Sequence, residues 1–535
     1  MNKFARSNTT MNRSGQILQS DFCSFRHVFG CGYNAEKPLG IFNLTFNTSN
    51  GKRILYVAGN IAIILRLEVR SQIFIPSLEE TLLISSVAVN STRNFIAIGE
   101  ETKTSGVISV YEYRNDQVKK KRSLVTFDSG TASFCNLLFG EGENHKFLFS
   151  QTSKSSTNAM KLFMWEWEKG RLRTSIDIGN MASIAGICVV PGDSSLVLLY
   201  GKCTEGIPIR CIWIRRDRDN IQLATKNDSV KDFLKYYSKN ILSHVVQSDN
   251  SILFGTDEGE IIMFTRQMEI KSVVTGSPLK EFRINVLTTF NQFVVYAGSK
   301  LEVSWLIKGE NENKGNFEQT NLGFSDPLFE ANQVTGMVVI DEETTVISSD
   351  SGQIYTLSKS MNEGFRLENS FFGFHTEPLM LIDTCIGKSL VATYAKDHSL
   401  RIWNFDEGTL ELEKTFETSV NSLSFHPLGL HIALAFQEKI KMFAIHSDDL
   451  VLYYEISINE TQIVSFSNGG HLFTCISENS LSLFSFMTGD LKSNILIKIA
   501  YENQSVRSVI WSEDDLKIYA ATADGSIFVV EARAI

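Results

Sequence analysis

The sequence predicts an all-β protein: one seven-bladed β-propeller followed by a four-blade partial second propeller. Three features predict this fold. Short apolar runs alternate with turns containing Asp, Gly, Asn or Ser, as in β-hairpins. These runs recur in copies along almost the whole chain. Sequence periodicity typical of helices is nearly absent.

The repeated unit has two apolar runs, a tight turn and a third alternating run. Eleven copies fit the sequence, from Ile54–Leu67 to the copy that ends at Val530. Tyr56 and Tyr519 occupy the same position in the first and last copies, which gives about 46 residues per copy. Propeller blades of the WD40 type repeat every ~40–45 residues, so each copy is expected to form one blade.

The eleven copies are expected to divide into two units, because a single ring normally holds ~4–8 blades. We expect residues 1–24 to be a disordered lead, residues 25–372 to form the first WD40 propeller and residues 373–535 to form four blades of an incomplete second one. The segment MNEGFRLENSFFGFHTEP is expected to contain the outer strand of the seventh blade followed by a connector.

The last copy poses a problem of edge pairing. Copies eight to ten each have a fourth strand, but only EARAI follows the third strand of the eleventh. An open edge invites pairing with another strand. We hypothesise that Phe25–Phe29, within residues 25–40, returns to supply the missing strand. Alternatively, Ser526–Val530 accepts a strand from a partner.

Composition excludes several functional classes. Lys and Arg number 51 and Asp and Glu 60, for a net charge of −9, so the chain offers no general attraction to nucleic acid. No uninterrupted apolar run reaches the ~18 residues of a membrane-spanning helix. We therefore expect neither nucleic acid nor membrane as a partner, and no cofactor.

One copy carries a His, a hydroxyl and a carboxylate that invite comparison with a catalytic triad. The spacing favours instead the buried hydrogen-bond chain that ties together the strands of a WD blade. We expect this structural tetrad to be His375, Thr393, Asp397 and Trp403. Turn-forming aspartates are expected at Asp257, Asp350 and Asp524. Because the chain has no G-x-S-x-G, Walker or H-E-x-x-H motif, no catalytic or metal-binding residue is predicted, and the protein is not expected to be an enzyme.

Two basic runs are candidates for partner binding, since loops between blades carry many binding residues. Both are expected to lie on inserted loops. They are Lys119, Lys120, Lys121 and Arg122, and Arg215, Arg216 and Arg218.

The repeats as a whole resemble WD40 repeats, and the resemblance is most specific over Gly373–Gly525. There, GFHTEPLMLIDTCIGKSLVATYAKDHSLRIWNF, SLSFHPLGLHIALAF and RSVIWSEDDLKIYAATADG resemble the tandem-propeller part of the cilia- and flagella-associated protein 57 family. RHVFG and KLFMWEWEKG are similar to its first propeller. Members of that family complete the second ring and continue into a long coiled coil, whereas this sequence has no heptad repeat.

The resemblance implies a non-catalytic scaffold of the motile-cilium axoneme that helps to place or regulate inner dynein arms on doublet microtubules. The implied partners are axonemal proteins, including inner-arm dynein subunits and doublet-microtubule components; a paralogue that completes the second propeller is a further possibility. The alternatives are a cytoplasmic tandem-propeller adaptor acting on actin or microtubules outside cilia, and an enzyme on a propeller scaffold.

Overall fold

The computed structural model describes most of the chain after residue 24. The described residues are 25–31, 39–46, 51–126, 133–152, 160–179, 181–203, 208–217, 220–225, 239–265, 270–275, 283–290, 293–298, 303–308, 317–322, 333–360, 364–369, 374–478, 480–497 and 506–532. The predicted disordered lead, residues 1–24, lies outside them. The chain divides into two compact units, Met1–Phe371 and Phe372–Ile535.

Antiparallel sheets of consecutive strands make up the first unit. Sheet 1 contains β1 (Phe42–Asn43), β2 (Arg53–Ala58), β3 (Ile61–Arg66) and β4 (Ser71–Pro76). Sheet 2 contains β5 (Thr81–Val89), β6 (Phe95–Thr102), β7 (Gly106–Arg114) and β8 (Gln117–Val125). Sheet 3 contains β9 (Phe134–Phe139), β10 (Phe147–Thr152), β11 (Lys161–Glu166) and β12 (Arg171–Asp177), with a 3₁₀ turn at Gly142–Asn144.

The same arrangement continues through the rest of this unit. Sheet 4 contains β13 (Met181–Val189), β14 (Leu196–Cys203), β15 (Ile209–Asp217) and β16 (Asn220–Thr225). Sheet 5 contains β17 (Ile241–Val246), β18 (Ile252–Thr256), β19 (Glu260–Phe264) and β20 (Ile270–Thr275). Sheet 6 contains β21 (Ile284–Phe290), β22 (Phe293–Gly298), β23 (Val303–Lys308) and β24 (Phe317–Leu322). Sheet 7 contains β25 (Val334–Val339), β26 (Thr344–Ser349), β27 (Ile354–Ser360) and β28 (Gly364–Asn369).

Four further sheets form the second unit. Sheet 8 contains β29 (Leu379–Thr384), β30 (Leu390–Ala395), β31 (Ser399–Asn404) and β32 (Thr409–Thr415). Sheet 9 contains β33 (Ser422–Phe425), β34 (His431–Ala435), β35 (Lys439–Ile445) and β36 (Leu450–Ser457). Sheet 10 contains β37 (Thr461–Phe466), β38 (Leu472–Ser477), β39 (Ser480–Ser485) and β40 (Leu491–Leu496). Sheet 11 contains β41 (Val506–Trp511), β42 (Lys517–Thr522) and β43 (Ile527–Glu531).

These sheets confirm the predicted all-β propeller class, while the number of blades in each ring stays a prediction. Within the first unit, the first strand of each sheet lies beside the first strand of the next, and β25 of sheet 7 returns to β1 of sheet 1. The sheets therefore circle one axis.

Alternation along the central strands explains how the sheets stack. In β2, Leu55 and Val57 pack with side chains of sheet 2, whereas Ile54 and Tyr56 pack with side chains of sheet 7. Successive side chains of a strand point to opposite faces, so a strand covered on both faces reads as one apolar run. Similar apolar clusters join each neighbouring pair from sheet 2 to sheet 6, and each neighbouring pair from sheet 8 to sheet 11 in the second unit.

Ring closure depends on contacts between sheets 1 and 7. Tyr56 shares one buried cluster with Val346 and Ile354. At the edge of this cluster, Lys52 Nζ lies 2.8 Å from Asp341 Oδ2 and 2.7 Å from Thr344 Oγ1, which is 292 residues away in the chain. These contacts hold the first described sheet of the unit against its last.

The outer strands share a bulge. In six of the described sheets, the fourth strand carries one residue that the pairing with the third strand skips. These residues are Lys121, Arg173, Lys271, Glu411, Tyr453 and Lys492. Bulges and charged side chains both discourage the pairing of exposed strand edges. The outer edges of these six sheets are thereby protected against strand addition.

The position of Phe25–Phe29 corrects one hypothesis. We predict from the sequence that this segment supplies a strand to the second unit, but the structure places it on the first. The backbone N–H of Val28 donates to Gln72 Oε1 at 2.8 Å, and its carbonyl accepts from Gln72 Nε2 at 3.0 Å. Phe25 packs on Phe74, with ring centroids 5.7 Å apart. The Gln72 carboxamide therefore ties the segment to β4; residues 32–38, within the same predicted range, lie outside the described residues.

Candidate functional site

The predicted tetrad comes together in sheet 8. His375 precedes β29, Thr393 lies on β30, Asp397 is in the following turn and Trp403 is on β31. Trp403 Nε1–H donates to Thr393 Oγ1 at 2.8 Å, and Thr393 Oγ1 lies 2.8 Å from His375 Nε2. His375 Nδ1 lies 3.1 Å from Asp397 Oδ2. These contacts join one loop, two strands and one turn.

The direction of these bonds follows from the available hydrogens. Because Trp403 donates to the Thr393 oxygen, the single hydroxyl hydrogen is available to His375 Nε2. The Nδ1–H of the imidazole then donates to Asp397. Each polar group of the tetrad thus faces another member, which suits a structural role.

Further donors hold the Asp397 carboxylate. It accepts from the Ser399 backbone N–H at 2.9 Å, the Ser399 hydroxyl at 2.7 Å and the Thr376 backbone N–H at 3.1 Å. Burial alone would raise the pKa of Asp397, but the hydrogen bonds from His375 and Ser399 outweigh it and hold this pKa well below its usual range. The carboxylate is consequently an ionised anchor for the turn.

Two of the predicted turn aspartates tie their turns to the loop before the first strand. Asp257 accepts from the Asn240 backbone N–H at 3.2 Å and from its side-chain amide at 2.5 Å. Asp350 accepts from the Gln333 backbone N–H at 2.8 Å. Asp524 accepts within its own turn, from the backbone N–H two residues ahead at 2.9 Å. All three carboxylates hold turns in place.

Sequence reasoning missed two related contacts in the first unit. In sheet 3, Trp165 Nε1–H donates to Ser150 Oγ at 2.8 Å, much as Trp403 does to Thr393. In sheet 2, Glu100 accepts from the Leu78 backbone N–H at 2.8 Å and from the Thr81 hydroxyl at 2.6 Å, which ties β6 to the loop before β5. Comparing the second and third strands of each copy position by position would have identified the Ser150 and Trp165 pair.

The first basic run is not a loop, contrary to prediction. Lys119, Lys120, Lys121 and Arg122 lie on β8, the outer strand of sheet 2. Four consecutive cations lack the apolar alternation that indicates a strand. An outer strand tolerates them because it is exposed at the rim, where Lys also discourages pairing of the open edge.

The second basic run is not a loop either. Arg215 and Arg216 lie near the end of β15, the third strand of sheet 4, and Arg218 lies outside the described residues. The Arg215 guanidinium sits 5.0 Å from the centroid of the Trp213 ring. Arg216 Nη1 lies 2.6 Å from Glu143 Oε2, so Arg216 ties sheet 4 to the 3₁₀ turn of sheet 3. The two runs are therefore separate surfaces on different sheets.

The strand β43 differs from the third strands of the other sheets. No described strand pairs with its outer edge, and its pairing with β42 is regular. Ile527 and Val529 are 70% and 56% exposed. This edge has neither bulge nor charge between Ser526 and Val530.

Metal-binding clusters and membrane-spanning helices do not occur among the described residues. Among the described residues, no group of His, Cys, Asp and Glu is arranged to hold a metal ion. No helix in the described part of the chain has the length and apolar character needed to cross a membrane. His426 and His431 pack among aromatic rings, and burial lowers the pKa of each imidazole.

Comparison with known proteins relates the chain to ciliary proteins. No family model matches it. Cilia- and flagella-associated protein 57 A of Tetrahymena thermophila is 27% identical over 96% of this chain and 42% of its own length. Cilia- and flagella-associated protein 57 of Mus musculus is 25% identical over 94% of this chain and 42% of its own length.

A partial match comes from a different group. The 77 kDa echinoderm microtubule-associated protein of Lytechinus variegatus is 22% identical over 36% of this chain and 31% of its own length. The chain spans 42% of the length of the two ciliary relatives, which nevertheless match nearly all of it. The chain is thus similar, along nearly its whole length, to proteins named cilia- and flagella-associated protein 57.

Proposed function

We propose that the chain is a non-catalytic scaffold of the motile-cilium axoneme that helps to place or regulate inner dynein arms on doublet microtubules. The observation that carries the proposal is the similarity to proteins named for cilia and flagella over 94–96% of the chain. That similarity indicates a location in the cilium or flagellum. Its extent, across both units, favours a role that uses both.

The architecture supports a scaffold on physical grounds. Neighbouring sheets share buried apolar clusters, and the tetrad fixes the loop and turn of sheet 8. A surface that is already ordered loses little conformational entropy when it binds, so more of the contact energy appears as affinity. Loops and outer strands of such a body are suited to hold several partners at fixed positions.

The hydrogen bonding of the tetrad supports a non-catalytic role. The hydroxyl of Thr393, the imidazole of His375 and the carboxylate of Asp397 bond to one another and to Trp403. A nucleophile needs its hydroxyl directed at a substrate. Here the hydroxyl is buried between an indole and an imidazole.

The proposed partners are axonemal proteins, including inner-arm dynein subunits and components of the doublet microtubule. The open edge of β43 is a proposed place of contact, because its pairing with β42 is regular and Ser526–Val530 carries no charge, which suits the addition of a strand. A paralogue is a candidate to supply that strand and complete the second unit.

A second candidate function is an adaptor that acts on actin or microtubules outside cilia. The partial similarity to a protein named as microtubule-associated favours it. The two candidates predict different locations in the cell.

Localisation of the tagged chain, expressed from its own locus in ciliated cells, separates these candidates. The axonemal proposal predicts signal along cilia and, with a proximity-labelling tag, recovery of inner-arm dynein subunits from isolated axonemes. The labelling enzyme alone, targeted to cilia, is the control. Diffuse or cortical signal with none in cilia would reject the proposal and favour the second candidate.

A further inference from the structure

A cleft with a basic wall lies at the rim of the first unit, between sheets 2 and 3. Its volume is about 440 Å³, and it is lined by Phe95, Lys119–Arg122, Trp167 and Glu168. Arg122 bridges the two sheets, since its Nε–H donates to the Glu168 carbonyl at 3.0 Å. We call this region the rim cleft.

The bulge in β8 explains why consecutive cations share one cleft. Residues of a regular strand alternate between the two faces of the sheet. In β8, Lys120 pairs with Tyr111 and Arg122 with Val110, so the ladder skips Lys121. An extra residue of this kind bends the strand and turns its side chain to a new direction. Lys119 and Arg122, the partners of Glu112 and Val110, consequently lie on the same face of β8 beside the rim cleft, with the bulged Lys121 between them. Lys120 pairs with Tyr111 on the opposite face.

The floor of the rim cleft is apolar and fixed. Trp167 is only 5% exposed, its ring lies 4.8 Å from that of Phe95, and its Nε1–H donates to the His145 carbonyl at 3.2 Å. The indole therefore supports the cleft without presenting a face to a ligand. Recognition here must depend mainly on the charged side chains above it.

Positive charge predominates around the rim cleft. Lys119 is exposed, and Lys121 is 39% exposed although its Nζ lies 2.5 Å from Glu112 Oε2. Lys120 lies over the Tyr111 ring at 5.9 Å, and burial lowers its pKa. Two carboxylates, Glu112 and Glu168, lie beside the three cations Lys119, Lys121 and Arg122. The whole chain has a net charge of −9, so this group of cations makes the rim cleft a positive region on an acidic protein.

We propose that the rim cleft binds an extended acidic segment of another polypeptide through Lys119, Lys121 and Arg122. This deepens the proposed function by giving the chemistry of one partner, and it rests on that function only for where such a partner is met. Flexible carboxylates can each approach a separate cation, and a guanidinium can hold a carboxylate with two bonds.

Two other modes of binding fit the rim cleft less well. Strand addition is disfavoured because the bulge at Lys121 interrupts the open edge of β8. Single-stranded nucleic acid commonly stacks its bases on accessible aromatic rings, whereas Trp167 is buried beneath the cleft.

Binding of a fluorescein-labelled peptide of ten glutamates to the purified full chain tests the proposal by anisotropy. We expect saturable binding that weakens as salt rises from about 50 to about 500 mM, because screening shortens the reach of charge. A peptide of ten glutamines should not bind. Absence of binding by the glutamate peptide at low salt would overturn the proposal, as would more effective competition by single-stranded DNA of equal charge than by unlabelled glutamate peptide.

Two double variants with the same change in net charge locate the site. Lys119→Glu with Lys121→Glu should weaken peptide binding by about tenfold or more, since two attractive charges become repulsive. Lys492→Glu with Lys517→Glu, two exposed positions in the second unit, is the matched control and should weaken binding less than about twofold. Equal weakening by both pairs would refute a site at the rim cleft.

A single, milder substitution tests the same site if the double variant fails to fold. Lys119→Gln alone removes one charge without placing a new carboxylate near Glu112, and we expect a measurable loss of affinity of about threefold. If the double variant misfolds and Lys119→Gln binds the glutamate peptide with unchanged affinity, the proposal is contradicted. The binding test uses the purified chain, so a negative binding result does not change the localisation result. A negative localisation result likewise leaves the binding result unchanged.

Discussion

Trp403→Ala should destabilise the second unit by about 3–5 kcal/mol, the usual cost of removing a buried tryptophan. The indole is 4% exposed and stacks on Phe374 with ring centroids 6.4 Å apart. Its N–H also donates to Thr393. Removal therefore leaves a large cavity and shortens the hydrogen-bond chain at once.

Hydrogen exchange of peptides from sheet 8, measured by mass spectrometry in a urea series, reports this loss locally. Trp403→Phe is the matched control: it keeps an aromatic ring and loses the N–H donor, so it should cost only about 1–2 kcal/mol. A cost below about 1 kcal/mol for Trp403→Ala would contradict the structural role of the tetrad.

Tyr56→Ala is expected to weaken closure of the first unit, again by about 3–5 kcal/mol. The side chain is fully buried in the cluster that joins sheets 1 and 7. Because Val346 and Ile354 share that cluster, exchange should accelerate in β26 and β27 as well as in β2 and β3. Faster exchange is therefore expected in strands from both ends of the first unit's sequence.

The control for this variant is Tyr56→Phe. It keeps the ring and loses only the hydroxyl, which accepts from Gln72 Nε2 at 3.2 Å, so we expect a cost of about 1 kcal/mol or less. Acceleration confined to sheet 1 in Tyr56→Ala would show that this cluster does not close the ring.

Much of this fold was accessible from the sequence because its central strands are buried on both faces. ILYVAG and IAIILRL read as continuous apolar runs between turns, and their spacing exposes the repeat. The tetrad of His375, Thr393, Asp397 and Trp403 was accessible for a similar reason: each member has a fixed place on a strand, loop or turn of the repeat.

Features with no apolar pattern of their own were harder to predict. The cations of β8 give no apolar alternation, and their strand is formed by pairing with β7. β1 has only two residues and pairs with β2, so it has no pattern of its own. The position of Phe25–Phe29 depends on the Gln72 carboxamide, a contact between distant residues that no local pattern reveals.

Cross-linking of Lys52 to Asp341 provides the sharpest test of a first unit that closes on itself. A carbodiimide joins amines to carboxylates that are in contact, and Lys52 Nζ lies 2.8 Å from Asp341 Oδ2. Lys239 Nζ, 2.7 Å from Glu260 Oε1 within sheet 5 and its preceding loop, is the internal control. The closed ring predicts that mass spectrometry recovers both cross-linked peptide pairs from the same monomeric chain. Recovery of the Lys239 pair without the Lys52 pair would contradict it.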